Sequence, residues 1–155
     1  MKRKTIVTMT VLLSLGCAAQ AQSDQGPKCT NETLSGAYGI QFHAVRPIQF
    51  VPVGKPGFIG QPEQVEGSSV RVYDGKGNFT QSESSKGTTT GYIPARPGRG
   101  TYVVNPDCSV DTTVQIAPGI TAVTRGVIVD AGKEILGFTV SPEEAMIRFV
   151  GRQMK

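Results

Sequence analysis

Apolar and polar residues alternate with a period of two along several short stretches of the chain, starting at about position 37. In 109–116, Val110, Thr112 and Val114 fall on one face, while Ser, Asp, Thr and Gln fall on the other. This alternation is typical of half-buried β-strands, and clusters of Gly, Pro, Asn or Asp separate one stretch from the next. The pattern therefore predicts short strands and little helix.

The alternating stretches number eight or nine, and most are joined by tight turns. The predicted strands cover 37–44, 69–73, 78–83, 88–93, 100–104, 109–116, 121–129 and 134–140, with a last strand near 147–150. Asp74-Gly75 and Asn105-Pro106 carry residue types that favour hairpin turns. Residues 141–144, before the last strand, have the capping-box pattern that is typical of a helix start. The β-branched and aromatic residues that follow favour a turn and a strand instead.

Strands joined by tight turns are antiparallel neighbours. A sequential antiparallel meander removes its unpaired edges when it closes on itself. We therefore expect an all-β fold, an antiparallel up-and-down meander of about eight strands closed as a barrel. A two-sheet β-sandwich is the alternative.

One segment, at about 43–66, breaks this rhythm because it is rich in both proline and apolar residues. Proline is disfavoured in central strands, so the segment is predicted to be a long loop. Loops of this length in compact domains are usually functional or disordered. A cover over one end of the barrel, a gate or partner-binding loop, and disorder remain open as alternatives.

The first residues look like an export signal. Lys2, Arg3 and Lys4 precede an apolar stretch at 6–15, and Ala19 and Ala21 are the small residues at positions −3 and −1 of a signal-peptidase site after Ala21. This order is that of a secretory signal peptide, and the apolar stretch is too short to span a bilayer. We expect a signal peptide at 1–21, a single domain at 22–155, and a periplasmic or extracellular protein. A retained N-terminal anchor and lipidation at Cys17 are the alternatives.

Charge changes the picture once this leader is removed. The 155-residue chain has a formal net charge of +4, but the leader takes three basic residues and no acidic ones, which leaves 134 residues at about +1. A nearly neutral chain without interleaved basic and aromatic residues is not typical of nucleic-acid binding. Hence we expect no nucleic-acid partner and no transmembrane span in the mature chain.

The same cleavage leaves two cysteines, Cys29 and Cys108. Two cysteines in an exported chain have one intramolecular pairing, and there is no Cys-x-x-Cys pattern to suggest a metal site. We therefore predict a Cys29–Cys108 disulfide that ties the start of the domain to a central hairpin.

Candidate chemistry is sparse. His43 is the one histidine, no nucleophile motif accompanies it, and it falls on the face opposite Tyr38 and Phe42. Glu143 and Glu144 lie on a predicted turn with no second acid placed against them, so they do not indicate a glycosidase. We expect no catalytic residue, no metal and no cofactor, although an enzyme is not excluded.

A ligand site inside the barrel is the alternative to catalysis. Barrels of about eight strands are either filled by side chains or hold one small ligand. The candidate lining residues are Tyr38, Phe42, Phe138 and Phe149, with Arg125 or Arg148 as an anchor for an anionic group. This role requires the arginine concerned to point inward, whereas the opposite phase makes it a surface charge.

Several short patterns resemble a group of uncharacterised exported bacterial β-barrel proteins. They are Cys29 followed by Leu34-x-Gly36 and an aromatic residue, the 74–78 turn, the strand start at 100–102, Asp107-Cys108 and the late Arg152-Gln153. The resemblance covers most of the mature chain except the loop at about 43–66. Those barrels are similar to allene oxide cyclase-like and lipocalin-like barrels, and Gly36-x-Tyr38 with Arg152 resembles the lipocalin Gly-x-Trp and its late Arg. No cyclase catalytic residue is matched, so cyclase activity is not implied.

Three hypotheses follow. The first is an exported non-catalytic barrel that binds a small apolar or amphipathic ligand. The second is a structural or interaction protein of the envelope that uses the loop at about 43–66. The third is a cyclase or isomerase-type enzyme in the barrel cavity, which requires polar groups that converge inside the barrel.

Overall fold

The computed structural model describes residues 28–47, 62–117, 120–143 and 145–155. Eight antiparallel strands close into a barrel in which each strand pairs with its sequence neighbours and β8 pairs with β1. The strands are β1 (Ser35–Pro47), β2 (Pro62–Asp74), β3 (Asn78–Gly87), β4 (Gly91–Val104), β5 (Ser109–Ala117), β6 (Ile120–Val129), β7 (Glu134–Ser141) and β8 (Met146–Gln153). No helix in these ranges is long and apolar enough to cross a membrane.

The predicted all-β up-and-down barrel of about eight strands is confirmed, and the β-sandwich alternative is not. Two boundaries were predicted wrongly. Thr88 to Thr90 form a turn rather than a strand, and the strand after it runs without a break from Gly91 to Val104. Both ends of the predicted loop belong to strands instead, because β1 continues to Pro47 and β2 begins at Pro62. The rest of that loop (48–61) and the predicted signal peptide, with Cys17, lie outside the described residues.

Prolines occur in these strands at positions where the missing backbone N–H removes no ladder hydrogen bond. Pro47 and Pro62 face each other at the open end of the β1–β2 ladder. Pro94 and Pro97 lie in the first half of β4, ahead of Gly100, where the ladder to β5 begins. Since proline cannot donate to a ladder, it is tolerated at strand ends and along edges that have no second partner.

The inner face of the barrel follows from the register, because cross-strand partners lie on the same side of a sheet. The buried residues Tyr38 and Ile40 of β1 pair with Arg71 and Ser69 of β2, so odd-numbered β2 residues point inward. The same rule carried around the barrel places Phe79, Gly100, Val114 and Ala122 in one inward-facing row.

One end of the barrel, called here the lower end, is sealed by aromatic rings and the N-terminal segment. Tyr73 makes edge-on contacts with Tyr38 and Tyr102 at centroid distances of 5.2 and 5.0 Å. The short 3-10 helix Asn31–Thr33 lies over these rings, and the Tyr102 hydroxyl donates to the Leu34 carbonyl at 2.9 Å. Leu34 and Tyr38 are completely buried, so this end is a packed hydrophobic core.

The predicted disulfide is confirmed. Cys29 and Cys108 are bonded, with their Cα atoms 5.0 Å apart. Cys29 precedes the 3-10 helix, and Cys108 ends the turn between β4 and β5. The bond therefore fixes the N-terminal segment against the lower end of the barrel.

The turn between β2 and β3 also lies at this end and is organised by Asp74. One of its carboxylate oxygens accepts hydrogen bonds from the backbone N–H groups of Lys76 and Asn78, and the other accepts one from the Asn78 side chain. These bonds, the Asn78 side chain first among them, lower the pKa of Asp74 to about 2. The residues at 74–78 thus have a turn-forming role, as their sequence indicated.

Glycines on the inner face make room for aromatic rings from neighbouring strands. A Cβ atom at Gly100 would lie 2.3 Å from the Phe79 ring and 2.2 Å from the Thr113 carbonyl oxygen. A Cβ atom at Gly137 would lie 2.3 Å from the Phe149 ring. These rings therefore lie against the backbone of the adjacent strand, a pairing that is known to support twisted sheets.

Candidate functional site

Above the sealed end, a connected set of polar side chains crosses the inner face of β2, β3 and β4. We call it the polar chain, and its members are Tyr73, Arg71, Gln81, Glu83 and Arg96. Each member is hydrogen-bonded to the next, so the set forms one continuous network inside the barrel. The polar groups that an interior site requires are therefore present, and they come from strands on which no site residue was predicted.

Arg71 is the buried end of the polar chain. Its guanidinium lies over the Phe79 ring, 4.3 Å from the centroid, and the residue is only 8% exposed. Nε and Nη2 both donate to Gln81 Oε1, at 3.1 and 2.8 Å, and Nη1 donates to the Tyr73 hydroxyl at 3.3 Å. Within the described ranges, no carboxylate lies at ion-pair distance from this guanidinium.

Glu83 and Arg96 form the open end of the polar chain. Arg96 Nη2 donates to Glu83 Oε1 at 2.7 Å, and Gln81 Nε2 donates to the other carboxylate oxygen at 3.4 Å. The side chain of Glu83 is 18% exposed and that of Arg96 is 39% exposed, although both point inward. Solvent therefore reaches the inner face at this level.

Other inward-facing residues at the upper end, the end opposite the packed core, are also partly exposed. They include Phe42, Gly67, Gly98, Thr139 and Ile147. A filled barrel would bury these positions in the way that Tyr38 and Tyr102 are buried at the lower end. The upper half of the interior is thus only partly buried at these positions, although Glu63, Val65 and Ser85 are buried there, whereas the lower half is fully packed.

A buried hydroxyl lies on the wall away from the polar chain. Thr124 of β6 points inward beside Thr112, and its Oγ1 has no hydrogen-bond partner in the described part of the barrel. A buried polar atom without a partner costs free energy unless water or a ligand satisfies it. The inner face therefore offers polar atoms on β6 as well as on β2 to β4.

The upper end is held together by Glu63, which is completely buried. One carboxylate oxygen accepts hydrogen bonds from the Thr90 backbone and hydroxyl at 2.6 and 2.7 Å, and from the Thr89 backbone at 3.1 Å. The other accepts one from Arg46 Nε at 3.1 Å. Burial acts to raise the pKa of Glu63, but these hydrogen bonds together outweigh burial and lower the pKa. Glu63 therefore fixes the β3–β4 turn against the start of β2.

Replacement of Glu63 with Gln is expected to lower the free energy of unfolding by about 2 kcal/mol at pH 7, since several hydrogen bonds to a charged acceptor are lost. Because the folded pKa is depressed, the carboxylate contributes stability above its unfolded pKa of about 4.5 and loses this contribution as pH falls through the folded pKa. Urea denaturation of wild type and E63Q should therefore differ more at pH 7 than at pH 3. Equal losses at the two pH values would contradict this assignment, and E66Q on the outer face is the matched control.

A groove also runs along the outer wall over β8, β1, β2 and β3. It consists of two adjoining depressions of about 620 and 640 Å³. Gln41, Ser68 and Ser84 line both depressions, and Tyr92 lies at the edge of the first. Beside it, His43 Nδ1 lies 2.6 Å from Glu66 Oε1, which accounts for the single histidine as an outer-face partner of a carboxylate.

Three of the predicted lining residues point inward. Tyr38 lies in the packed lower end and is completely buried. Phe42 and Phe149 are cross-strand partners on β1 and β8 in the upper half, where Phe42 is partly exposed and Phe149 is buried. Contact of any of these residues with a ligand stays a prediction.

The other three predicted lining residues do not line the barrel, so their proposed interior role is wrong. Phe138 is 56% exposed, and the Arg125 side chain is 59% exposed and paired with Asp111 at 2.7 Å on the outer face. Arg148 is exposed beside His43. The sequence assigns the inner and outer faces of these strands wrongly, because outward-facing residues of β6 and β8 include valines, whereas inward-facing residues include glycine and threonine.

Three inward-facing cations carry no predicted role in the sequence, namely Arg46, Arg71 and Arg96. Arg71 lies between Val70 and Val72, whose side chains point outward and are 43% and 46% exposed. The signal that was available is the alternation of Ser69, Arg71 and Tyr73, which end up on the same face.

No group of three or more metal-binding side chains comes together in the parts of the chain described here. No protein-family model matches the sequence, and no curated protein matches it either. The site must therefore be interpreted from its own geometry.

Proposed function

We propose that this protein is a non-catalytic binding barrel that takes up a small amphipathic ligand in the upper half of its interior. The observation that carries the proposal is the contrast between the two halves. Tyr38, Tyr73 and Tyr102 fill the lower half, whereas Phe42 and Arg96 point inward and remain partly exposed in the upper half. An eight-stranded barrel that side chains do not fill completely is suited to one small ligand.

The amphipathic character of the ligand is inferred from the two sides of this space. Phe42, Phe149 and Ile147 make the β8–β1 wall apolar. The polar chain occupies the β2–β4 wall, with Arg71 at its buried end. Ligand pockets of this kind combine apolar surface with a few placed polar groups that orient the ligand.

An isomerase-type enzyme in the same space is the second candidate, and the polar chain is the observation that favours it. Its one carboxylate, Glu83, has one oxygen engaged by Arg96 and the other by Gln81. A general base needs a lone pair directed at the substrate proton. Because Glu83 is the one carboxylate of the polar chain and is ion-paired with Arg96, binding is the better-supported function.

We also propose that the protein is exported. The Cys29–Cys108 bond supports this, because disulfides persist in oxidising compartments and are rare in the cytosol. The basic and apolar residues at 2–15 support it independently. Fractionation of a bacterial host that expresses the full chain, followed by alkylation without reduction, should find the protein in the periplasm with no free thiol at either position. Protein confined to the cytoplasm with two free thiols would contradict the proposal.

Native mass spectrometry of the same periplasmic protein tests the binding proposal. We expect a co-purifying mass that is released under denaturing conditions, or uptake of decanoate added to the stripped protein. The proposed function would be overturned if no mass co-purified and the stripped protein took up neither decanoate nor decan-1-ol.

A further inference from the structure

The charges that face into the barrel do not balance. Along the described strands they are Arg46, Glu63, Arg71, Glu83 and Arg96. Glu63 pairs with Arg46, and Glu83 pairs with Arg96. Arg71 remains as one surplus positive charge. A buried charge without a counter-ion is costly, so the interior favours one negative charge near Arg71.

The donors of Arg71 are only partly used. A guanidinium has five N–H groups, and the hydrogen bonds to Gln81 and Tyr73 use three of them. One N–H on each terminal nitrogen is left. Two parallel N–H donors on a guanidinium are what a carboxylate accepts in a bidentate pair.

Tyr73 adds a third donor at the same place. Its hydroxyl oxygen accepts from Arg71 Nη1, and within the described residues its own proton has no acceptor. Gln81 and the Phe79 ring hold the guanidinium in place, because one binds its edge and the other its face. The cation is thus oriented before any ligand arrives, which limits the entropy lost on binding.

We propose that Arg71 and Tyr73 form a carboxylate-binding site deep in the barrel, so that the ligand is a monocarboxylate with an apolar tail. This inference rests on the proposed function and narrows its ligand class. The acid group lies against Arg71, and the tail lies against the apolar β8–β1 wall, toward Phe42 and Phe149. Arg71 and Tyr73 are binding residues in this proposal, and no bond is made or broken.

The test compares decanoate with decan-1-ol by isothermal titration at pH 7.5, since the two probes share a tail and differ in charge. Wild type is expected to bind decanoate at least about tenfold more tightly than the alcohol, which is the typical contribution of a hydrogen-bonded charge. In R71M the affinity for decanoate should fall by at least about tenfold, while that for the alcohol changes less than about twofold. R125M removes an arginine from the outer wall and should leave both affinities unchanged.

The outcomes separate the two proposals. If wild type binds neither probe, the proposed function fails, and this inference fails with it. If wild type binds both probes equally, or R71M binds decanoate as wild type does, only the carboxylate site is overturned. Where R71M fails to fold by circular dichroism, R71Q replaces it as a neutral, hydrogen-bonding variant and is judged by the same criterion.

Discussion

The double variant C29S/C108S is expected to lose about 4 kcal/mol of unfolding free energy. The bond joins residues separated by 79 positions, so it restricts a long loop of the unfolded chain. Its loss should also loosen the segment 28–34, which lies over the lower core and is attached there by the Tyr102–Leu34 hydrogen bond. The lower end of the barrel should become the first region to open.

Denaturation by guanidinium chloride measures this loss, with reduced wild type as the matched control. Wild type treated with a reductant should unfold at the same midpoint as the double variant, because both lack the same constraint. A double variant as stable as oxidised wild type would show that the barrel does not depend on the bond. Hydrogen exchange should locate the opening at Leu34 and its neighbours.

Tyr102→Ala is expected to cost about 4 kcal/mol, in the range found when large buried aromatic residues are truncated. Its ring is 2% exposed and packs edge-on against Tyr73. Its hydroxyl donates to the Leu34 carbonyl, so the substitution opens a cavity and also removes a buried hydrogen bond. Burial raises the pKa of this hydroxyl, so it stays protonated as a donor at physiological pH.

Two other variants separate these effects in urea denaturation. Tyr102→Phe keeps the ring and loses the hydroxyl, so it should cost about 1 kcal/mol. Tyr92→Ala truncates a tyrosine that is 67% exposed on the outer wall, and should change stability by less than about 0.5 kcal/mol. A loss in Tyr102→Ala no larger than that in Tyr92→Ala would mean that the lower core is not packed as described.

The architecture could be predicted from the sequence because local signals agreed with it. In β1 and β5 the inward residues Tyr38, Ile40, Val110 and Val114 are apolar, and their outward neighbours are mostly polar. The turns at 74–78 and 105–108 carry the residues that hairpins require. Where hydrophobicity and burial coincide in this way, alternation alone identifies the strand and its inner face.

The candidate site could be predicted only in part, because hydrophobicity and burial do not coincide there. On β6 the inward residues include Ala122, Thr124 and Gly126, and on β7 Gly137 faces inward. Gly137 is required because the Phe149 ring occupies the space of its side chain. Such long-range contacts cannot be derived from alternation within one strand. For this reason Arg125 and Phe138, which the alternation placed inside the barrel, lie on its outer face.

The polar chain was missed for a related reason. Its members are separated by 10 and 13 positions across strand pairs, and no short motif connects Arg71 to Gln81 or Glu83 to Arg96. Only the register of the closed barrel brings them together. At single polar residues inside apolar strands, such as Arg71 between two valines, strand register decides whether the side chain faces into the barrel.

Methyl-detected NMR of the labelled protein during titration with decanoate tests most directly whether the ligand enters the barrel. The account predicts shifts for the inward methyl groups of Thr124 and Ile147, and unchanged signals for Val70 and Val150, which lie along the outer groove. Shifts confined to Val70 and Val150, or no shifts at any of these residues, would contradict a ligand site inside the barrel.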